Sequence, residues 1–243
     1  ATEIAKVSGK PIQLVWTRED DIQQGPFRPA SLMRIKAGVD NDGNLIAWDA
    51  ARAGADISPD TFRSLLPALY SWMGDGMVEG VANLSEWYLE KFATDESSTE
   101  GVFEDYDHPN TRVTHLTVDH ELPMTFWRAV GHSYTAFAKE SMIDELSQAA
   151  GMDEVAFRLQ NTQNSPRLNN VIRVAGEHMA KMNPPAGHHL GFAAHHSFRT
   201  DVAEIAEVSV EKGKIRVHKV TCVLDCGQAV NPDIVRSQME GGV

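Results

Sequence analysis

The strongest constraint on this chain is a pair of long alternating runs, Val202 to Val210 and Ile215 to Asp225, separated only by Glu211-Lys212-Gly213-Lys214. Alternation turns one face of each run toward a core, and so short a connector with a glycine folds the second run back beside the first. A second hairpin is written earlier in the chain. Arg34 to Val39 and Leu45 to Trp48 flank Asp40-Asn41-Asp42-Gly43-Asn44, whose Asp-Gly step supplies the positive φ of a tight turn. Ile12 to Trp16 also alternates, which predicts a short strand closed by the polar cluster Thr17-Arg18-Glu19-Asp20-Asp21.

Between the hairpins the periodicity is helical. Ile57 to about Phe92 reads as helical and irregular, and Thr94 to Glu104 is polar enough for a mobile surface loop. From His132 to Ala150 the residues Tyr134, Ala138, Met142, Leu146 and Ala149 recur at helical spacing, and Gly151 ends the run. Asp153 caps a shorter helix through Phe157 and Leu159, and Leu168, Val171, Ile172, Ala175 and Met179 mark another before Pro184-Pro185. Asn231 caps a last helix and Pro232 opens it, where a missing N–H costs nothing. Hairpins mixed with helices make the fold α+β, with antiparallel hairpins and mixed sheet packed against helices. The approximate regions are 1–55, sheet-forming; 56–105, a helical and irregular insert; 106–200, a helical part; and 201–243, hairpin plus terminal helix.

Composition narrows the partners. Twenty-two Lys and Arg against 34 Asp and Glu leave a net charge of −12, which repels phosphate backbones and argues against nucleic acid. No run approaches the roughly 20 apolar residues of a membrane span, and no basic-then-apolar leader opens the chain, so it reads as soluble. Cytoplasm and periplasm both remain open. Cys222 and Cys226 lie in one alternating run, where strand geometry separates them by roughly 13 Å. A disulfide needs Cα atoms within about 7 Å, so both are expected to be unpaired. Because the chain opens inside an apolar-periodic stretch (Ile4, Ala5) and stops just after Gln238-Met239-Glu240-Gly241-Gly242, a piece of a longer polypeptide is expected.

Two constellations carry possible chemistry. In Pro123-Met124-Thr125-Phe126-Trp127-Arg128-Ala129-Val130-Gly131-His132-Ser133 an arginine in a strand-like run meets a small-residue turn that opens a helix. Backbone N–H groups there suit an anion, although taken alone an arginine paired with a carboxylate under a helix start is the more ordinary reading. In the second, Gln238 shares the apolar face of the last helix with Ile234, Gly241 and Gly242, so either another backbone or a ligand approaches closely. The ten histidines, including His188-His189 and His195-His196, lack zinc-site spacing, and no protein-held metal is expected. A hydrolase would need a nucleophile elbow that is absent, and Ser133 and Ser141 have no identifiable base.

These segments resemble the molybdenum hydroxylases, the family of xanthine dehydrogenase and aldehyde oxidase, and within it most closely the branch of isoquinoline 1-oxidoreductase beta subunits and related aldehyde dehydrogenase large subunits. The likeness rests on Val15 to Asp21 with Phe27-Arg28-Pro29; on Trp127 to Gly131 with Glu140 to Leu146 and Phe157 to Asn161; on Ala206 to Val210; and on Asp225-Cys226-Gly227 through Asn231-Pro232 to Gly242. The resemblance implies a molybdopterin-binding domain of the aldehyde oxidase/xanthine dehydrogenase type. It implies a molybdenum–molybdopterin cofactor in its cytosine dinucleotide form, bound through Arg128, Ala129, Gly131, Gln238 and Gly241. Arg128 resembles the arginine whose main chain lies beside the molybdenum, and Gln238 the glutamine that hydrogen-bonds the pterin.

Val130 stands where many relatives place an aromatic residue against a planar substrate, so purine-like stacking is not expected. The short interval between Met179 and Thr200 agrees with the rearranged isoquinoline branch, in which further glycine-rich loops come earlier in the polypeptide. The family's catalytic glutamate follows the Gln-x-Glu-Gly motif at long range and falls outside this chain, so no catalytic residue is assigned here; neither Glu240 nor Glu145 takes its place. The implied reaction oxidises an N-heterocycle or an aldehyde with oxygen from water. Electrons leave through an iron–sulfur partner subunit, since two cysteines cannot hold a four-cysteine cluster. This piece is expected to be inactive alone. A non-catalytic assembly module on the same scaffold and a histidine-dependent hydrolase are the competing readings.

Overall fold

A computed structural model describes residues 2–70, 72–118 and 122–243. Helices α1 (Thr2–Ser8) and α2 (Arg18–Gln24) precede a hairpin of β1 (Ser31–Val39) and β2 (Leu45–Gly54). The segment Ile12 to Trp16, expected as a strand, has no regular structure and is largely exposed. With no neighbouring strand to accept its backbone, the local alternation is not enough. The polar cluster after it forms α2 instead: Thr17 and Asp20 make reciprocal capping bonds, each side chain accepting from the other's backbone N–H.

In the first hairpin Asp40 holds the turn by accepting from the Asp42 and Asn44 N–H groups at 2.9 Å, and Gly43 adopts φ 81°. Helices α3 (Ser58–Leu69) and α4 (Asp75–Phe92) follow, and β3 (Thr111–Thr117) then adds in parallel to β2, giving a mixed sheet ordered β1-β2-β3. The loop expected at the surface between Thr94 and Glu104 is folded inward. Asp95 is buried and accepts from the Ile57 N–H at 2.7 Å, the Ser58 N–H at 3.1 Å and the Ser97 hydroxyl at 2.6 Å, so its polarity is satisfied inside the protein rather than by water.

Helix α5 (His132–Ala149) packs on β1, and α6 (Glu154–Gln160), capped by Asp153, joins it to α7 (Pro166–Met179). The second sheet is wholly antiparallel, β4 (His188–Ser197), β5 (Thr200–Glu211) and β6 (Lys214–Asp225), with α7 against it and α8 (Pro232–Glu240) beyond. β3 and β4 are strands in a stretch whose pattern reads as helical. Both cysteines are free. No helix among the described residues is long and apolar enough to cross a membrane.

The core divides in two. Leu45, Trp48 and Ala50 meet Ile143, Leu146 and Phe157 under the first sheet, while Leu168, Val171, Ile172 and Ala175 meet Phe192, Ala203 and Ile205 under the second. A buried polar node joins them. Arg158, with no exposed side-chain surface, pairs with Glu140 at 3.0 Å and Asp144 at 2.7 Å. Glu140 also accepts from the Tyr106 hydroxyl and from the Ala194 N–H of β4, both at 2.8 Å.

Candidate functional site

A cavity of about 780 Å³ opens where these two units meet, a size suited to a sizeable organic ligand. Its walls come from the start of α5, from the facing strands β4 and β5, and from the end of α8, with Arg28 at one side. The Arg128 and Gln238 segments therefore face one space although they lie 110 residues apart, and the Arg128 Nη2 donates to the Gln238 carbonyl at 3.1 Å. The carboxylate partner expected for Arg128 in a purely structural role is replaced by a peptide carbonyl.

Upstream of Arg128, one isolated parallel bridge joins Met124 to Phe27 where the sequence suggested a strand-like run. The chain then reverses. Val130 N–H donates to the Trp127 carbonyl at 2.9 Å, and Ala129 and Val130 take φ of 70° and 45°. Left-handed backbone at a β-branched residue costs of order 1–3 kcal/mol, so tertiary contacts must hold this turn. Among the described residues the Ala129 and Gly131 N–H groups have no acceptor. Gly131 then caps α5. It is required there by close approach, since a Cβ would sit 2.5 Å from the Ser97 carbonyl oxygen.

Arg128, Ala129, Gln238 and Gly241 line the cavity; Gly131 is packed behind it and Val130 lies in the turn outside its wall. The Gln238 side chain is exposed, not buried as an apolar-face amide would be, and has no hydrogen-bond partner among the described residues. The two glycines lie past the helix and not inside it, Gly241 as the C-cap of α8 with φ −80°. A Cβ on Gly242 would stand 3.3 Å from the Gln238 carbonyl oxygen and 3.7 Å from the Arg128 Nη2, so its bare backbone keeps this corner open.

Among the wall residues not picked out as site residues from the sequence are Arg28, Glu140 and Glu204. Arg28 donates to the Arg128 carbonyl at 2.9 Å, Glu140 forms part of the floor, and Glu204 accepts from the Cys222 thiol at 3.4 Å. Arg28 and Glu140 stand in the motifs quoted above and could have been picked out there; Glu204 carries no such signal. Burial, reinforced by Glu204, pushes the Cys222 thiol up to about 11 and keeps it protonated. Beside them His195 lines the cavity and its Nε2 lies 2.9 Å from the His132 Nδ1. Burial, then the charge of Lys139, lowers His195 to about 2, so it is a neutral imidazole. Ser133 donates to the Val130 carbonyl at 2.9 Å and not to a histidine, an arrangement that gives it no activating base. Among the described residues no group of three or more His, Cys, Asp or Glu side chains converges as a metal site.

Two family models described as molybdopterin cofactor-binding domains match this chain, over residues 128–243 and residues 85–162. Over its whole length the chain is 30% identical to the beta subunit of isoquinoline 1-oxidoreductase from Brevundimonas diminuta, of which it covers 29%. It is 29% identical to a nicotinate dehydrogenase subunit from Pseudomonas putida, of which it covers 21%. Its fold is similar to the aldehyde oxidoreductase of Desulfovibrio gigas, with a TM-score of 0.53 at 19% identity, over 89% of this chain and 24% of that one. The chain thus spans less than a third of the length of the relatives it matches.

The donor set fits a pterin. An extended heterocycle rich in acceptors and donors matches an unpartnered N–H group at Ala129, a free side-chain amide at Gln238 and a corner without side chains at Gly241-Gly242. With molybdopterin-binding models matched across both the Arg128 and the Gln238 segments, and the expected α+β architecture in place, the chain belongs to the molybdopterin-binding region of the molybdenum hydroxylase family.

Proposed function

We propose that this chain supplies two walls of the molybdenum cofactor pocket in a hydroxylase that oxidises an N-heterocycle or an aldehyde. The observation that carries this reading is the contact of Arg128 with Gln238 at the rim of one cavity. Ala129 offers a main-chain N–H group, Gln238 offers its amide, and Gly241 lets the ligand approach the backbone, while Gly131, packed behind the wall, shapes the turn that carries Ala129. Held by these residues, the cofactor would supply the two-electron redox chemistry of a hydroxylation that uses oxygen from water. The chain's own part is to orient that group and exclude water from it, on a turn held rigid before binding.

No proton-transfer residue is assigned within this chain, and the cofactor is proposed in its cytosine dinucleotide form. Electrons are proposed to pass to an iron–sulfur partner subunit. The test is metal analysis of the complete enzyme together with a dye-linked oxidation assay on heterocycles and aldehydes. Molybdenum near one per polypeptide with substrate-dependent dye reduction is expected; a protein without molybdenum would be the scaffold alone.

A further inference from the structure

Three of the segments that wall the cavity, far apart in sequence, are tied together by one relay of hydrogen bonds. Arg28 Nη2 donates to the Arg128 carbonyl at 2.9 Å, and Arg128 Nη2 donates to the Gln238 carbonyl at 3.1 Å. The segment bearing Arg28 is itself fastened to the one bearing Arg128. Phe27 N–H donates to the Pro123 carbonyl at 2.9 Å, Thr125 N–H to the Phe27 carbonyl at 3.1 Å, and Trp127 Nε1 to the Pro26 carbonyl at 3.0 Å. The carbonyl that Arg28 grips belongs to the same planar peptide as the Ala129 N–H. Fixing one end of that plane fixes the other. A charged donor holds a carbonyl more firmly than a neutral one does, and this peptide leads into two residues with positive φ, where a flip would relieve strain.

We propose that Arg28 is a positioning residue of the cofactor site, setting through the Arg128 carbonyl the direction in which the Ala129 N–H is presented. This inference rests on the functional reading above. Arg28 is exposed, so its removal takes little from the core. The test compares the complete enzyme with Arg28→Ala and Arg28→Lys, reading molybdenum per polypeptide, thermal midpoint and amide exchange at Val130, whose N–H closes the turn on Trp127. In Arg28→Ala, molybdenum content is expected to fall about tenfold, as for outer residues that orient a binding group. Val130 exchange is expected to quicken at an unchanged midpoint, and Arg28→Lys, which keeps a charged donor, to recover most of both. Unaltered Val130 exchange in Arg28→Ala overturns the inference, as does an unaltered molybdenum content in a parent that contains the metal. A parent without molybdenum overturns the functional reading, and the inference with it.

Discussion

Arg158 is a charge with no exposed surface, tolerated because Glu140 and Asp144 meet it on two sides. Both carboxylates raise its affinity for the proton against the opposing effect of burial. Glu140→Ala would leave that charge with the part-exposed Asp144 alone of its two carboxylates and take an acceptor from Tyr106 and from Ala194. A loss of about 3–5 kcal/mol is expected in denaturant unfolding, whereas a loss below about 1 kcal/mol would mean the node contributes little. Gly131→Ala places a methyl 2.5 Å from the Ser97 carbonyl oxygen, and a loss of about 1–3 kcal/mol is expected by the same measurement. His195 titrates near 6.5 when unfolded and near 2 when folded. Its contribution is therefore complete above pH 6.5 and declines by about 1.4 kcal/mol per unit as the pH falls toward 2, because only the unfolded chain binds the proton. Replacing it, as in His195→Asn, should flatten the acid limb of stability against pH; a limb of unchanged slope would show that His195 is already protonated in the fold.

At the scale of elements, local signals were read well where they sufficed. Asp40-Asn41-Asp42-Gly43-Asn44 builds its turn from its own side chains, and Asp153 and Asn231 cap the helices that follow them. Asn231→Ala should cost about 1 kcal/mol and speed amide exchange in the first turn of α8, loosening the helix that carries Gln238. Unchanged exchange at Ile234, whose N–H donates to the Asn231 side chain at 3.3 Å, would contradict that. What the sequence hid depends on partners elsewhere. β4 reads His188-His189-Leu190-Gly191-Phe192-Ala193-Ala194-His195-His196-Ser197, poor in β-branched residues, and is a strand because β5 pairs with it along its length. β3 exists through parallel pairing with β2. Conversely, Ile12 to Trp16 has the alternation and no partner strand.

Across the whole molecule, two small cores meet along a buried ionic node, and the cavity opens above the same junction. No periodicity announces that residues 128 and 238 will touch, because the contact depends on how α5, the second sheet and α8 stack. The family likeness singled out both positions for one ligand, and the fold brings the Arg128 guanidinium within hydrogen-bond distance of the Gln238 backbone carbonyl. It left the third member of the group, Arg28, outside the expected set, because a motif spells residue types and not which carbonyl a guanidinium will hold. The central claim is that both segments serve one pterin, and molybdenum per polypeptide in Gln238→Ala of the complete enzyme tests it most directly. The Gln238 carbonyl that Arg128 holds survives this substitution, and only the free amide is lost. A clear fall in molybdenum at an unchanged thermal midpoint is expected; the unmutated content would contradict the claim.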